Sequence, residues 1–88
     1  MKVDFKKSFI RDLKRVKDMP LSHRVGETIE LVERAQRLKE IKNIKKLRAS
    51  DRHYRIGIGD YRIGLILEDD TLIFVRFLHR KDLYRYFP

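Results

Sequence analysis

The spacing of apolar residues changes near Asn43. Before that position apolar side chains recur every three or four residues, as on one face of an amphipathic helix, and after it they alternate with polar ones, as in a strand. We therefore expect two helices, at about 7–17 and 20–38. Pro20 suits the first turn of the second helix, because a backbone N–H has no helical partner there. With 88 residues and no repeat or linker, the chain is expected to form a single domain over 1–88.

Three strands are expected in the second half of the chain, where Ile, Tyr, Phe and Val are frequent. They span 54–58, 61–67 and 71–78. Gly59 and Asp60 suit the loop of the first hairpin, since glycine tolerates the positive φ that a type II′ turn requires. Val3 and Phe5 predict a further short strand. The resulting fold class is α+β: a short N-terminal strand, a helical hairpin and a three-stranded antiparallel meander, with the helices on one face of the sheet.

The face of the sheet away from the helices is expected to carry arginines paired with glycines. A two-residue loop at 59–60 places Arg55 opposite Gly64 and Gly57 opposite Arg62. Because side chains alternate along a strand, these four residues share the open face. The helix-covered face then receives Ile56, Ile58, Ile63 and Leu65. Glycine inside a strand weakens it unless something approaches the backbone, so a phosphodiester held by two guanidinium groups is the expected ligand.

The position of Arg76 depends on the length of the second turn. A three-residue turn over 68–70 places Arg76 opposite Arg62 and extends the cationic strip across three strands. A two-residue turn would instead point Arg76 into the core beside Ile63, where an unpaired cation is strongly destabilising. We therefore expect the three-residue turn and an exposed Arg76.

The chain is strongly basic, with a formal net charge of +9. Such an excess favours RNA, DNA, the ribosome or an acidic protein as partner. Between Lys42 and Arg62 the only acids are Asp51 and Asp60, so a sheet face neutralised by its own carboxylates is the weaker interpretation. RNA contacts are expected from Lys45, Lys46, Arg48, Arg55 and Arg76.

Cysteine is absent, which excludes disulfides, a cysteine nucleophile and thiolate metal sites. The three histidines show no metal-ligand spacing, so we expect neither a metal nor another cofactor. No apolar run approaches the roughly 20 residues that span a bilayer, and the N-terminus lacks the hydrophobic stretch of a secretory signal. The sequence therefore predicts a cytoplasmic protein with no membrane partner.

A cluster of chemically active side chains follows the last predicted strand. It consists of His79, Arg80, Tyr84 and Tyr86. Histidine can donate or accept a proton near neutral pH, and a strand end presents side chains rigidly. Taken alone, His79 is more often an ordinary half-buried residue than a catalyst. The tyrosines could likewise belong to a hydrophobic plug that anchors the tail, which is the interpretation we adopt for Phe87.

The chain resembles the RelE family of toxins from type II toxin–antitoxin systems. The likeness extends over essentially the whole sequence and is most specific in KKLR (45–48), YRIGIGDYRIG (54–64) and HRKDLYRYF (79–87). It implies the fold just described and a ribosome-dependent endoribonuclease that cleaves mRNA in the ribosomal A site. In such toxins the ribose 2′-OH attacks the adjacent phosphate without a metal. The implied partners are mRNA, the ribosome and a cognate antitoxin protein.

The resemblance also implies roles for individual residues. Arg62 resembles the strand arginine that holds the scissile phosphate, and Arg80 resembles the arginine after the last strand that stabilises the transition state. Tyr84 resembles the tail tyrosine that orients the substrate base. His79 resembles the histidine that other members use as a general acid, and we expect it to act as acid or base here.

One position departs from the family pattern. Arg55 falls where one of two strand lysines lies, but the second lysine, the base of the best-known member, is replaced by Gly57. Arginine stabilises negative charge but cannot serve as a base, because it stays protonated. Two alternatives to the nuclease therefore stay open: a ParE-like toxin, which poisons DNA gyrase without cutting nucleic acid, and a noncatalytic RNA- or ribosome-binding module.

Overall fold

The computed structural model describes residues 1–48 and 50–88, which form two long helices, a five-stranded sheet and a short C-terminal helix. In chain order the elements are β1 (Lys2–Phe5), α1 (Lys7–Arg15), α2 (Met19–Arg34), a 3₁₀ turn (Leu38–Glu40), β2 (Ile44–Lys46), β3 (His53–Ile58), β4 (Tyr61–Glu68), β5 (Thr71–His79) and α3 (Leu83–Tyr86). The α+β class and the helical hairpin are confirmed. Within the described ranges, no helix is long and apolar enough to cross a membrane.

The second helix begins as predicted and ends earlier. Asp18 caps α2 by accepting a hydrogen bond from the backbone N–H of Leu21 (3.1 Å). The helix ends at Arg34, and Ala35 adopts an extended backbone. It therefore stops about one turn short of the predicted end. Leu38 still packs against the core, but from the 3₁₀ turn.

The sheet has the strand order β1-β5-β4-β3-β2, in which β1 runs parallel to β5 and all other neighbours are antiparallel. The predicted meander forms its centre. The first hairpin has the predicted register, with Arg55 opposite Gly64 and Gly57 opposite Arg62, and Gly59 has a φ of +58° in the turn. The strand β2 and the helix α3 were not predicted, since three or four residues are too few to show a period.

The hydrophobic core lies between the two long helices and one face of the sheet. The four residues predicted to be on that face are at most 3% exposed: Ile56, Ile58, Ile63 and Leu65. From α1, Phe9 packs edge-on against Phe74 and Phe77 of β5, and α2 adds Val25 and Val32. Because the helices cover this face, only the other face of the sheet is open to a ligand.

The other face of the sheet is partly covered by the C-terminal tail. Leu83 and Phe87 are buried there together with Leu47. A Cβ added to Gly64 would come within 2.8–2.9 Å of the Phe87 ring, so this glycine makes room for a side chain of the protein itself. The prediction that Gly64 makes room for a phosphodiester is wrong, and the plug role of Phe87 is confirmed.

The predicted register of β5 is also wrong. Glu68 pairs with Thr71 across a two-residue turn, and a register shift beyond Gly64 leaves Val75 as an extra residue in β5. Arg76 therefore lies opposite Gly64, and Leu78 lies opposite Arg62. The bulge returns Arg76 to the face away from the core. The two-residue turn therefore does not bury the Arg76 charge beside Ile63, which was the reason for predicting a three-residue turn.

Candidate nucleic-acid interface

A small cavity opens on the uncovered part of the sheet, next to the β3–β4 turn. It has a volume of about 340 Å³ and is lined by Asn43, Lys45, Arg55, Gly57, Gly59 and Arg62. We call it the cationic cavity, because three of its six residues are cations and none is an acid. Lys45 lies directly opposite Arg55 on neighbouring strands, which brings two of these charges together.

The guanidinium of Arg62 lies directly over Gly57. A Cβ at Gly57 would be 3.3 Å from Nη1 of Arg62, so the absence of a side chain lets the arginine settle against the strand. The same Nη1 donates hydrogen bonds to the carbonyl oxygens of Gly59 and Tyr61, both at 2.8 Å. These contacts fix the guanidinium but do not neutralise it, and its remaining N–H donors suit a phosphate.

An adjoining groove runs from the cationic cavity to the C-terminal tail. It has a volume of about 710 Å³ and is lined by Lys45, Lys46, Leu47, Arg48, Arg55, Tyr84, Phe87 and Pro88. We call it the tail groove. Lys45 and Arg55 line both depressions, so the two form one continuous surface. Tyr84 is 65% exposed and offers a ring on which a nucleotide base can stack.

Arg80 lies at the same turn as Arg62. Its backbone N–H donates to the carbonyl oxygen of Asp60 (2.8 Å), and its Nε is 3.8 Å from the Asp60 carboxylate. Both side chains of this ion pair are largely exposed, so the pair is weak and Arg80 can turn toward a ligand. Arg62 and Arg80 thus both contact the turn over 59–60, but Arg80 is not among the residues that line the cationic cavity.

His79 lies on the opposite side of the sheet from the cationic cavity. It pairs with Tyr61, whose ring stacks on the core residue Phe77, and the His79 ring stands edge-on to Tyr61 at 5.5 Å. Its Nδ1 accepts a hydrogen bond from the backbone N–H of Lys81 (3.1 Å). The prediction that His79 acts beside Arg62 is contradicted by this placement. The cause is the alternation of side chains along β5: Arg76 and Leu78 face away from the core, so His79 faces the core side.

Arg76 is held by a carboxylate and does not belong to the open surface. Its Nε and Nη2 donate to the carboxylate of Asp12 at 2.6 and 3.2 Å, and the backbone N–H of Phe77 donates to the same carboxylate at 3.0 Å. The hydrogen bond with Asp12 raises the pKa of Arg76 above its ordinary value. The Arg76 guanidinium also lies 5.8 Å from the ring centre of Tyr86. The predicted RNA contact by Arg76 is therefore wrong.

A different histidine, His53, lies on the open face of the sheet, where it contacts the C-terminal tail. His53 is two residues from Arg55 on β3, and its ring stands edge-on to Phe87 at 5.4 Å. Its Nδ1 lies 2.6 Å from Oγ of Ser50, which also accepts hydrogen bonds from two backbone N–H groups. Sequence analysis considered His53 only as a metal ligand. The period-two alternation through Arg55 was the signal that places it on this face.

Among residues 1–48 and 50–88, no group of three His, Asp or Glu side chains is arranged to hold a metal ion. No Asp, Glu or His side chain is among the residues that line the cationic cavity and the tail groove. What the arrangement offers chemically is therefore positive charge, including a guanidinium fixed over Gly57, and an exposed aromatic ring.

Comparison with known proteins agrees with this architecture. A family model described as the ParE toxin of the type II toxin–antitoxin system parDE matches residues 3–84. The chain is also 44% identical to Toxin RelE3 of Methanocaldococcus jannaschii, over the full length of both proteins. The chain therefore belongs to the RelE/ParE family of toxins from type II toxin–antitoxin systems. Within that family it is a toxin of the RelE type.

Solved structures share the fold. The RelB–RelE antitoxin–toxin complex from Methanococcus jannaschii contains a chain that matches with a TM-score of 0.80 and 41% identity, covering 97% of this chain and 99% of the other. The archaeal RelE–RelB complex from Pyrococcus horikoshii matches with a TM-score of 0.73 and 20% identity, covering 93% and 97%. The isolated Escherichia coli RelE toxin matches with a TM-score of 0.68 and 14% identity, covering 89% and 82%. The last two likenesses concern the fold alone.

Proposed function

We propose that this RelE-type toxin is an endoribonuclease that inhibits translation by cutting mRNA in the ribosomal A site, in the cytoplasm and without a metal. The observation that carries the proposal is the cationic cavity, where the Arg62 guanidinium is fixed over Gly57 by two backbone carbonyls and keeps its charge. The remaining N–H donors of Arg62, together with those of Arg55, can bind a phosphodiester.

We assign binding of the scissile phosphate to Arg62 and Arg55. Arg80 would contact it from the turn over 59–60. As the 2′-oxygen bonds to phosphorus, negative charge accumulates on the nonbridging oxygens. Fixed guanidinium groups stabilise that charge more than they stabilise the ground state, which is what lowers the barrier. The P–O5′ bond then breaks, leaving a 2′,3′-cyclic phosphate and a free 5′-hydroxyl.

The substrate base is assigned to the tail groove. Tyr84 lines this groove beside Lys46 and Arg48, so a ring and two phosphate-binding cations lie along the path of a single strand. Stacking on an exposed tyrosine is tolerant of base identity, and it would hold the ribose in position for attack.

Proton transfer is assigned in part to Lys45. Lys45 lines both depressions, and its ammonium group can donate a proton to the departing 5′-oxygen. No Asp, Glu or His side chain lines either depression to accept the 2′-OH proton, so we assign that acceptor to the ribosome or to water. The proposal therefore predicts that cleavage depends strongly on the ribosome.

The decisive experiment is cleavage of a defined mRNA by purified toxin, with and without 70S ribosomes, with cut sites mapped by primer extension. We expect cuts only with ribosomes, cyclic phosphate ends, and no cut where the scissile nucleotide lacks its 2′-OH. Arg62→Ala should slow cleavage about 100- to 1,000-fold while the protein stays folded. Arg34→Ala, which removes an exposed charge from α2 outside both depressions, is the control. Full activity of Arg62→Ala would contradict the assignment.

A ParE-like toxin that poisons DNA gyrase is the alternative that the sequence left open, and the 44% identity to Toxin RelE3 does not favour it. With a gyrase poison, expression would cause DNA damage with intact mRNA. A noncatalytic ribosome-binding module would instead bind 70S particles and leave both nucleic acids intact. The same mRNA mapping, combined with an assay of gyrase supercoiling, separates the three functions.

We further propose that a cognate antitoxin holds this toxin inactive, as the RelB–RelE complexes suggest for its relatives. An acidic partner would suit a chain with a net charge of +9. Purification of the toxin together with the product of a neighbouring open reading frame, followed by the cleavage assay, tests this partnership.

A further inference from the structure

Asn43 lies at the end of the cationic cavity that is farther from the tail groove. It lines the cavity beside Gly57 and Arg62, whereas Lys45 and Arg55 line both depressions. The backbone N–H of Gly57 donates to the Asn43 carbonyl oxygen (3.4 Å), which continues the pairing of β2 with β3 one step beyond the paired residues of β2. Asn43 is therefore separated from the tail groove by Lys45 and Arg55.

The backbone of Asn43 is left-handed, with a φ of 67°. Glycine and asparagine are among the residues that adopt this conformation most readily, so the turn before β2 accounts for either of them. Glycine would leave this part of the cavity without a side chain. The exposed amide of Asn43 is therefore an addition that the turn does not require.

The amide of Asn43 differs in kind from the cations around it. Among residues 1–48 and 50–88, Asn43 alone gives the cationic cavity a neutral polar side chain, and the side-chain hydrogen bonds of these residues do not involve its amide. Contacts of a cation with phosphate carry no sequence information. An amide presents an N–H donor beside a C=O acceptor, a pattern that reads the edge of a base. The cavity can therefore hold a phosphate and read a neighbouring base.

We propose that Asn43 is a specificity-determining residue that selects adenine. The adenine belongs to the nucleotide across the scissile phosphate from the base stacked on Tyr84. With the phosphate on Arg62 and Arg55, a strand that leaves the tail groove passes Asn43 next. This role of Asn43 rests on the proposed function, because it takes the phosphate position from there.

The choice of adenine follows from the pattern of donors and acceptors on the bases. Adenine has an acceptor at N7 beside a donor at N6, so both groups of the Asn43 amide find a partner. On the same edge guanine has two acceptors, and a pyrimidine has no N7. Each of the other bases would therefore pair with the amide at one place at most.

Binding of short single-stranded RNAs to the purified toxin tests this preference without cleavage. The RNAs carry 2′-O-methyl ribose, so that they cannot be cut, and they compete with a labelled oligonucleotide in fluorescence anisotropy. We expect adenine at one position to strengthen binding about 5- to 10-fold over the other bases. Asn43→Gly keeps the left-handed turn and removes the amide, so it should reduce the preference to under about 2-fold. Its affinity for RNAs without that adenine should be nearly unchanged.

Two further variants separate the amide from the backbone. Of the described residues, Asp69 is the other non-glycine residue with a positive φ (53°), and it lies in the β4–β5 turn outside both depressions. Asp69→Gly is therefore the matched control and should keep the preference. Asn43→Asp keeps the shape but replaces the N–H donor with an acceptor, so it should lose the preference for adenine. Its added charge weakens every RNA alike and cancels in the ratio. Circular dichroism verifies that each variant folds.

The same variants are then compared on mRNA bound to 70S ribosomes, with the nucleotides on both sides of the cut varied. Asn43→Gly should lower the rate ratio of adenine to the other bases and keep the rate on those other bases. Three results would overturn this role of Asn43: a parental preference for another base or for none, an adenine preference kept in Asn43→Gly, and its loss in Asp69→Gly. Absence of cleavage with an Asn43-dependent adenine preference in binding would contradict the nuclease and leave the selection of adenine standing.

Discussion

Arg62 and Arg76 lie on neighbouring strands of one sheet, yet their surroundings give them opposite roles. Arg62 is fixed by two backbone carbonyls and, within residues 1–48 and 50–88, forms no ion pair, whereas Arg76 is bound by the buried Asp12. The first keeps its charge available to a ligand, and the second uses its charge to fasten α1 to the sheet. The comparison teaches that the contacts of an arginine, and not its presence on a strand, decide whether it can bind a polyanion.

The largest effect is expected from Asp12→Ala. The change leaves Arg76 without its partner and the N–H of Phe77 without its acceptor, in a place where Asp12 is only 3% exposed. Breaking a buried pair from one side costs about 3–5 kcal/mol, a large part of the stability of a small domain. Urea unfolding measures the loss, with Asp4→Ala at an exposed position as the control. A loss under about 1 kcal/mol would mean that the pair does not fasten α1.

Gly64→Ala should have the next largest effect, through the tail. A methyl group there would press on the Phe87 ring, and such overpacking costs about 1–3 kcal/mol in free energy of unfolding. The double variant Gly64→Ala, Phe87→Ala tests the cause, because the methyl group should add almost no further loss once the ring is gone. Additive losses in urea unfolding would show that the two positions do not interact.

Gly57→Ala should have the opposite effect to Gly64→Ala: it should slow mRNA cleavage without lowering the free energy of unfolding. Its methyl group would meet the end of the flexible Arg62 side chain, which can move away, so the fold is kept. The displaced guanidinium should slow mRNA cleavage about 10- to 100-fold. Parallel cleavage and unfolding measurements on Gly57→Ala and Gly64→Ala separate the two regions. Cleavage by Gly57→Ala at the parental rate would show that Gly57 does not contribute to the site.

The smallest effect is expected from His79→Ala. The imidazole lies on the other side of the sheet from Arg62, so its loss should change the cleavage rate far less than the about 100- to 10,000-fold that removal of a general acid costs. Single-turnover cleavage on ribosomes measures the rate. A loss in that larger range would restore the role expected from the sequence.

These cases show where sequence analysis succeeded and where it did not. The register of the first hairpin was predictable because Gly59 is a local signal for a tight turn, and the register then follows by counting. The position of Arg76 was not, because it depends on an extra residue at Val75 that leaves no mark in the hydrophobic pattern. His79 was misplaced for another reason: Arg76 faces outward in the predicted register and in the observed one, so alternation puts His79 on the core face in both.

The remaining errors come from contacts between distant parts of the chain. Asp12 and Arg76 are separated by 64 positions, and Phe87 reaches back to Gly64 across a whole strand. Nothing in the local sequence marks either pair. By contrast, RNA contacts by Lys45, Lys46, Arg48 and Arg55 were predicted from the local excess of cations and from the register of the first hairpin, and the structure brings these residues together around one groove.

The two borders of the sheet have a consequence for handling the protein. Where β1 ends, side chains of α1 occupy the border of β5: Ser8 Oγ donates to the carbonyl of Val75, and Asp12 accepts from Phe77. At the opposite border, β2 is the edge strand of the described sheet. The positive charges of Lys45 and Lys46 oppose pairing of this edge with a strand of another chain. Neutralising these lysines to obtain a harmless toxin for large-scale production would therefore promote aggregation, and Arg62→Ala is the better choice.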